Sequence, residues 1–169
     1  LDNLLKEFRD FSRLPAPTIE PFDICLLINE LTDTYKTSYP HIQFKYNSSE
    51  DQIIVSADLK QMKQVFVNLL KNSSEAIGNE SGGISIQTDL VRKGNSSYCR
   101  ISVQDTGSGI DPEKQEQVFN PYFTTKRDGS GLGLAIVERI IFDHNGSIWF
   151  ETKKGSGKRS PNQILVKRF

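Results

Sequence analysis

The fold of this chain is decided by two glycine-rich stretches, Asp105-Thr106-Gly107-Ser108-Gly109-Ile110 and Gly129-Ser130-Gly131-Leu132-Gly133-Leu134. The first follows an apolar strand pattern at 101–104, so it places a carboxylate and a bare backbone at the end of a strand. The second runs directly into a helical pattern over 134–141, and the unpaired amides at a helix N-terminus attract phosphate. Glycines at this density cost folding entropy, which close approach of the backbone to a ligand justifies. Together the two stretches predict a nucleotide pocket.

Neither stretch is decisive alone. The second has the pattern G-x-G-x-G and lacks the Lys-Ser/Thr pair of a P-loop. Each is also typical of an ordinary turn, because glycine and serine are common turn residues. Their occurrence in this order, together with the helix described next, favours the pocket over a pair of turns.

A long amphipathic helix is predicted over 58–77, with Asp58 as its N-cap. Helical spacing predicts a core-facing side formed by Leu59, Met62, Phe66, Leu69, Leu70, Ser73 and Ile77. Asn68, Asn72 and Glu75 share a different face, because they are spaced by four and three residues. They can be read as solvated polar residues, but Asn is a poor helix former and two in mid-helix are unusual. Carboxamide oxygens are hard ligands that suit magnesium.

Four motifs of this chain resemble those of the ATP-binding domain of sensor histidine kinases, a branch of the GHKL superfamily. The stretch 64–76 (QVFVNLLKNSSEA) resembles their N box, 105–110 their G1 box, 118–126 (VFNPYFTTK) their F box and 129–134 their G2 box. The four occur in the family's order and cover about residues 20 to 155 of the 169. The resemblance implies an α/β fold, specifically an α+β two-layer sandwich with helices on one face of a mixed, mostly antiparallel sheet.

The resemblance also implies roles for individual positions, with ATP and Mg²⁺ as the bound cofactors. Asn72 would ligate the magnesium ion that bridges the ATP phosphates. Asp105 would accept a hydrogen bond from the adenine amino group, and Gly107 and Gly109 would let the backbone pass close to the base.

A mobile lid over the phosphates is implied at 120–130. Its Thr124, Thr125 and Lys126 are candidate phosphate contacts, and the glycines at 131 and 133 would present amides. The resemblance implies that the catalytic residues are Asn68, Asn72 and Lys126. It implies a wider set of nucleotide contacts consisting of Asn68, Asn72, Glu75, Asp105, Gly107, Gly109, Ile110, Tyr122, Phe123, Thr124, Thr125, Lys126, Ser130, Gly131, Leu132, Gly133 and Leu134.

Position 68 separates sub-families of this superfamily. In gyrase, the Hsp90 chaperones and MutL-like ATPases, the residue one turn before the metal-binding Asn is a Glu that activates water, whereas this chain has Asn68. An amide cannot act as a general base, so it favours transfer to a nucleophile that needs no strong base, such as neutral imidazole. Two alternatives stay open, an ATP-hydrolysing conformational module and a non-catalytic interaction module. The role of Glu75 also stays open, because some family members carry a basic residue there.

Residues 1–16 are expected to form the end of a dimerisation and phosphotransfer helix with its linker, followed by the catalytic domain at 17–169. A bundle-helix spacing over Leu1, Leu4, Leu5, Phe8 and Phe11 ends at two prolines. The stretch 7–17 is similar to the junction in nitrogen-regulation (NtrY-like) sensor kinases. The implied partners are the chain's own dimerisation domain, in a full-length homodimer, and a response regulator receiver domain.

Neither histidine of the chain is the expected phosphoacceptor. His41 opens a predicted strand and is read as a surface residue. His144 ends a helix before the Asn145-Gly146 turn, where it can satisfy carbonyls and the helix dipole. The acceptor histidine, and any sensor or membrane segment, are therefore expected upstream of Leu1.

The remaining pattern predicts one compact domain. Helices are expected from a cap at Asp23 to about Tyr39 and from the second glycine stretch to about Asp143. Strands are expected near 41–46, 52–56, 83–91, 98–104, 147–152 and 162–168, with turns at 81–83 and 93–97. The stretch 155–161 departs from the family's G-x-G-T run, and Pro161 should lie at a strand's start or edge.

Composition sets bounds on function. The hydrophobic content of 36% supports one sizeable core, and 21 basic residues balance 21 acidic ones, which argues against a broad nucleic-acid-binding surface. Cys25 and Cys99 lack motif spacing and lie in apolar patterns, so they are expected to be free core thiols in a reducing compartment. No apolar stretch reaches the roughly 20 residues of a membrane span. The domain is therefore expected to be cytoplasmic, within a full-length protein that an upstream segment could anchor in the inner membrane.

Overall fold

The structure, a computed structural model, describes residues 12–126, 129–152 and 159–167. The elements follow the order β1 (Glu20–Asp23), α1 (Ile24–Ser38), β2 (Ile42–Ser48), β3 (Ile54–Ala57), α2 (Leu59–Ile77), β4 (Gly82–Lys93), β5 (Ser96–Asp105), a 3-10 helix (Pro112–Gln117), α3 (Gly133–Asp143), β6 (Ser147–Thr152) and β7 (Arg159–Lys167). The helices and strands predicted between residues 23 and 168 are confirmed in this order. Strand β1 and the 3-10 helix were not predicted, since both are short and have no clear periodicity.

Five strands form one mixed sheet in the order β2-β4-β5-β7-β6. The β2–β4 pair is parallel, and the other three ladders of this sheet are antiparallel. Strands β4 and β5 pair from Ile84 opposite Asp105 to Lys93 opposite Ser96. A separate antiparallel pair joins β1 to β3. The mixed, mostly antiparallel sheet predicted for the fold is confirmed.

The helices cover one face of this sheet. Alternate residues of β5 are buried, namely Cys99, Ile101, Val103 and Asp105, while the residues between them are only half-buried. The buried side chains form one core with apolar residues of α1, α2 and α3, which is the expected two-layer arrangement. Both cysteines are thiols buried in the core, as predicted.

Helix α2 follows the predicted pattern with one exception. Asp58 is the N-cap, and its Oδ1 accepts the backbone N–H of Gln61 at 3.0 Å. Met62 and Phe66 are buried in the core. Leu59 is 50% exposed, so its assignment to the core was wrong. It is the first residue of the helix and precedes the first buried turn.

The start of β4 corrects the turn predicted at 81–83. Gly82 and Gly83 belong to the strand, where they pair with Ile42 and Gln43 of β2. A Cβ added to Gly82 would lie 2.7 Å from Cγ2 of Ile77, so this glycine is needed where the strand passes the end of α2. Packing rather than turn geometry explains the residue.

Some predictions fall outside the described residues, namely the helix at 1–11 and the glycine- and lysine-rich stretch at 153–158. Pro161 lies near the start of β7, where the register with β6 shifts between Phe150 and Thr152. No helix in the described part of the chain combines the length and hydropathy needed to cross a membrane.

Candidate nucleotide-binding site

Strand β5 delivers the first site residue to the edge of the sheet. Asp105 is its last residue and is 3% exposed. Its Oδ1 accepts the backbone N–H of Gly107 at 2.9 Å, which turns the chain directly after the strand. A carboxylate is costly to bury unless it is hydrogen-bonded. The position therefore indicates a specific polar contact.

The first glycine stretch is attached to β4 and α2. Thr106 exchanges two hydrogen bonds with Gly83, through its backbone N–H and through Oγ1, both at 3.0 Å. The N–H of Ser108 donates to the carbonyl of Ala76 at 3.2 Å. A Cβ added to Gly107 would lie 2.7 Å from the carbonyl carbon and oxygen of Ala76. Gly107 is therefore required by packing against α2, and its expected contact with a base stays a prediction.

Gly109 has a different requirement. Its φ of +79° is in the left-handed region, which favours glycine. No heavy atom lies within 4 Å of the position its Cβ would take, so the backbone there borders open space. Ile110 follows and is half-buried. This part of the stretch leaves room for a ligand beside the buried Asp105.

The polar face of α2 lies against the N-terminus of α3. A Cβ added to Gly133 would be 3.7 Å from Nδ2 of Asn72 and 3.9 Å from Oδ1 of Asn68. Nδ2 of Asn68 is buried and has no hydrogen-bond partner. An unsatisfied buried donor costs about 1–3 kcal/mol. Asn68 is therefore kept at the expense of stability, which is typical of a functional position.

Helix α3 begins without a side-chain cap. Leu132 is at the N-cap position, and its side chain lies in the core. Ser130 Oγ accepts the N–H of Leu132 at 3.2 Å. The amides of the first turn carry a partial positive charge. Next to the carboxamides of Asn68 and Asn72, this terminus is suited to an anion.

Lys126 connects the 120–126 segment to α2. Its Nζ donates to Oδ1 of Asn72 at 3.2 Å and forms an ion pair with the carboxylate of Glu75. Lys71 Nζ lies 3.9 Å from the other carboxylate oxygen of Glu75. Glu75 is thus placed between two cations on the outer edge of the site.

Hydrogen bonds within the F motif, and between it and the G2 motif, fix the described part of this region. The N–H of Tyr122 donates to the carbonyl of Gly131 at 3.0 Å, and Thr124 Oγ1 accepts the N–H of Lys126 at 3.1 Å. Tyr122 has a φ of +67° and is 59% exposed. A non-glycine residue in the left-handed region is uncommon and stores strain. Residues 127 and 128 of the expected lid lie outside the described residues.

Helix α2 joins the two ends of the site. Ala76 contacts the first glycine stretch, and it lies one helical turn, about 6 Å, beyond Asn72. Asn68 and Asn72 lie against the second stretch. In the described part of the chain, no three or more His, Cys, Asp or Glu side chains are grouped to hold a metal. A cation here would therefore depend on amide oxygens.

Most of the predicted site residues lie on α2, at the end of β5, in the 120–126 segment or at the start of α3. Their solvent exposure differs. Asp105 and Leu132 are buried, and Leu132 has only its backbone left to contact a ligand. The half-buried members are Asn68, Asn72, Ile110, Phe123, Lys126, Ser130, Gly131, Gly133 and Leu134, and the exposed members are Glu75, Tyr122, Thr124 and Thr125. Sequence reasoning missed Thr106 and Ala76, whose contacts position the first stretch. Both lie within the quoted motifs, at 105–110 and 64–76, and that membership was the available signal.

The histidines have structural partners. His41 is exposed, and its Nε2 lies 2.9 Å from the carbonyl oxygen of Gly78. His144 ends α3 as predicted, with Nδ1 2.7 Å from the carbonyl of Ile140. Its Nε2 accepts the backbone N–H of Asp58 at 2.9 Å, which joins the end of α3 to the start of α2. This second contact was not predicted.

Comparison with known sequences places the chain among nucleotide-binding proteins. The family model for "Histidine kinase-, DNA gyrase B-, and HSP90-like ATPase" matches residues 57–165. A putative sensor histidine kinase, NtrY-like, from Rickettsia conorii is 34% identical over 158 residues, which cover 93% of this chain and 26% of that protein. The chain thus spans about a quarter of the length of the curated relatives it matches, at 26% of the first of them.

Solved structures agree with this comparison. The catalytic domain of histidine kinase ThkA superposes with a TM-score of 0.79 at 31% identity, covering 89% of this chain and 96% of that chain. Histidine kinase ThkA in complex with response regulator protein TrrA gives a TM-score of 0.81 at 27% identity, covering 99% of this chain and 47% of that one.

Proposed function

Because this chain belongs to the family of histidine kinase-, DNA gyrase B- and HSP90-like ATPases, we propose that it binds Mg-ATP between its glycine stretches and transfers the γ-phosphate to a histidine. The expected resemblance to sensor histidine kinases, including the NtrY-like subgroup, is confirmed. One observation carries the proposal, which is that both glycine stretches meet the polar face of α2. Ala76 contacts the first stretch, while Asn68 and Asn72 lie against the second.

At the base end, Asp105 would accept the hydrogen bond of the adenine amino group. Guanine has a carbonyl oxygen at that position, which a buried carboxylate would repel, so the site would select adenine. Burial of Asp105 and the hydrogen bond that it accepts from Gly107 hold the carboxylate in place. The open space beside Gly109 supports a base lying along the backbone.

At the phosphate end, the uncapped amides of α3 and the ammonium of Lys126 would bind the phosphates. Thr124 and Thr125 are exposed on the same segment as Lys126 and would add hydroxyl donors. Phosphoryl transfer needs mainly positioning and charge stabilisation. These groups supply both.

The donor set fits a magnesium ion. Oδ1 of Asn72 already accepts a hydrogen bond from a cationic group, the ammonium of Lys126, so a hard oxygen is directed at a position where positive charge is stable. Asn72 would hold the ion, and Asn68 lies one turn before it on the same face. A bound magnesium ion would neutralise charge on the phosphates.

Asn68 supports transfer to a nucleophile over rapid hydrolysis. The helix carries an amide where a water-activating family member carries a carboxylate, and an amide cannot accept the proton. Both histidines bond to structural carbonyls. The acceptor would therefore belong to a dimerisation domain, of which residues 1–16 would be the end and to which the catalytic domain at 17–169 is joined.

The relatives support further proposals about the longer protein. Since the chain resembles ThkA, whose complex with response regulator TrrA has been solved, we assign a response regulator receiver domain as the final phosphate acceptor. The kinase would act as a homodimer with this domain in the cytoplasm.

Calorimetric titration with a non-hydrolysable ATP analogue and magnesium tests the binding site. Asp105→Ala should weaken binding about 100-fold, since the charged acceptor of the adenine amino group is lost and such a hydrogen bond is worth about 1.5–3 kcal/mol. Asn72→Ala should weaken binding when magnesium is present and have little effect when it is chelated. Asp51→Ala, at an exposed position outside the site, serves as the control. Unchanged binding in both site variants would refute the proposal.

The reaction is tested in the full-length protein. Exposure to ATP should give acid-labile phosphate on a histidine, and Asn72→Ala should abolish it. Steady release of phosphate by the isolated chain, with no acceptor present, would instead identify an ATP-hydrolysing module.

A further inference from the structure

The proposed function does not account for the contact that Lys126 makes with Asn72 and Glu75 of α2. The ammonium is held by two oxygens, Oδ1 of Asn72 and the carboxylate of Glu75. Asn72 is also the residue assigned to magnesium above. A lysine of the 120–126 segment therefore occupies the position in front of the oxygen that would hold the metal.

Charge makes this arrangement incompatible with a loaded site. A divalent cation on Asn72 would repel the ammonium at the same oxygen, because like charges this close disfavour each other. Lys126 can bind a phosphate only after it leaves Asn72. Glu75 carries the negative charge that opposes this departure, since neutral Asn72 alone holds an ammonium weakly.

We propose that Glu75 is a positioning residue that holds Lys126 on Asn72 in the nucleotide-free domain, so that magnesium and nucleotide must displace the lysine to bind. This proposal rests on the proposed function for the identity of the ligand. It gives Glu75 a role that requires no direct contact with the nucleotide or the reacting atoms. Displacement would free Lys126 for the phosphates at the moment the cation arrives.

The expected change in nucleotide affinity follows from the solvent exposure of the ion pair. Lys126 and Glu75 side chains are 37% and 36% exposed, and exposed ion pairs are worth little in water. When the competent state is only a fraction of the population, the apparent dissociation constant rises by the inverse of that fraction. Removing the carboxylate should therefore tighten binding of magnesium with an ATP analogue by about two- to fivefold.

The first experiment needs no nucleotide. Amide hydrogen exchange over 121–126 should be faster in Glu75→Gln than in the wild type, because Lys126 is no longer held. Glu30→Gln is the matched control, since Glu30 forms an exposed ion pair with Lys63 at 3.3 Å. It should leave exchange over 121–126 unchanged. Equal exchange in Glu75→Gln and the wild type would overturn the proposal.

The second experiment is a double-mutant cycle read as the dissociation constant for magnesium with a non-hydrolysable ATP analogue. Glu75→Gln should tighten binding in the wild-type background and have no effect in the Lys126→Met background, because Glu75 acts through the lysine. Tightening that persists in Lys126→Met would mean that Glu75 repels the phosphates directly. Weaker binding in Glu75→Gln would mean that it is itself a metal ligand. Either result would overturn the proposal.

The two levels of inference fail differently. If the wild type binds no nucleotide, the proposed function fails, and the exchange experiment alone decides whether Glu75 holds Lys126. If the wild type binds nucleotide but both experiments show no role for Glu75, the proposed function stands and this inference fails.

Discussion

The two ends of the site differ in how they are built. The base end is fixed by packing: Asp105 is buried, Thr106 exchanges two hydrogen bonds with Gly83, and Gly107 lies against the backbone of Ala76. The phosphate end is held by side chains and by bonds within one short segment, including those of Lys126 and Thr124. Under the proposed function, a domain built this way would recognise the base without rearrangement, whereas its phosphate contacts would have to be exchanged.

Two glycines that both lie against backbone test this difference most strongly. Gly107→Ala places a Cβ 2.7 Å from Ala76 of the packed helix α2, and Gly131→Ala places one 2.4 Å from the carbonyl carbon of Tyr122. Forcing atoms into a well-packed region costs about 1–3 kcal/mol. We expect this loss in the free energy of unfolding for Gly107→Ala, measured by urea denaturation.

Gly131→Ala should give a smaller loss of global stability, although its Cβ would lie closer to a neighbouring backbone atom than that of Gly107→Ala. The strain falls on a segment that can open locally, and a local opening limits its cost to the stability of that segment. Gly131 has a φ of +70°, where alanine is strained, so we expect a loss of about 1 kcal/mol in the free energy of unfolding, with weaker binding of nucleotide. Equal losses of stability in the two variants would remove the distinction between the ends.

A pair of left-handed glycines separates conformational strain from ligand contact. Gly109 and Gly94 have φ values of +79° and +59°, and neither has a heavy atom within 4 Å of its Cβ position. Alanine at either position should cost about 1–2 kcal/mol of stability, because L residues are strained there. Only Gly109→Ala should also weaken nucleotide binding, measured by calorimetry. Equal affinity in the two variants would place the base away from Gly109.

The sequence predicted most of the fold and the elements that meet at the candidate site, because the relevant signals are local. Periodicity gave the helices and the longer strands, and the caps at Asp23 and Asp58 were found where acidic residues precede apolar periodic stretches. Glycine density located the two stretches. The polar face of α2 was visible from the spacing of Asn68 and Asn72.

What could not be predicted depends on contacts between distant residues. Nothing local indicates that Gly107 packs on Ala76, that Gly82 passes Ile77, or that Leu59 projects into solvent. The ion pair of Lys126 with Glu75 joins residues 51 positions apart, so the sequence left the role of Glu75 open. Tertiary packing decides such contacts, and spacing along one chain does not encode them.

Helix α2 supports both ends, so weakening its N-cap should affect them alike. Asp58 accepts backbone N–H groups from Gln61 at 3.0 Å and Thr18 at 2.8 Å. Burial raises the pKa of this carboxyl, but the backbone hydrogen bonds it accepts outweigh that effect, so the pKa lies below its ordinary value of 3.8. Asp58→Asn should cost about 1 kcal/mol at neutral pH, since one of these acceptors is lost.

The sign of the pH dependence follows from that lowered pKa. A carboxyl whose pKa is lower in the folded state stabilises the protein fully above its unfolded pKa and loses this contribution as the pH falls through the folded pKa. The difference in unfolding free energy between wild type and Asp58→Asn should therefore be constant as the pH falls to about 3.8, and it should shrink at lower pH. Urea denaturation across this range measures it, and nucleotide affinity at neutral pH should change little. A difference that stays constant at every pH would show that the charge of Asp58 contributes nothing to stability. A loss of hydrogen-exchange protection at only one end of the site in Asp58→Asn would show that α2 does not support both ends equally.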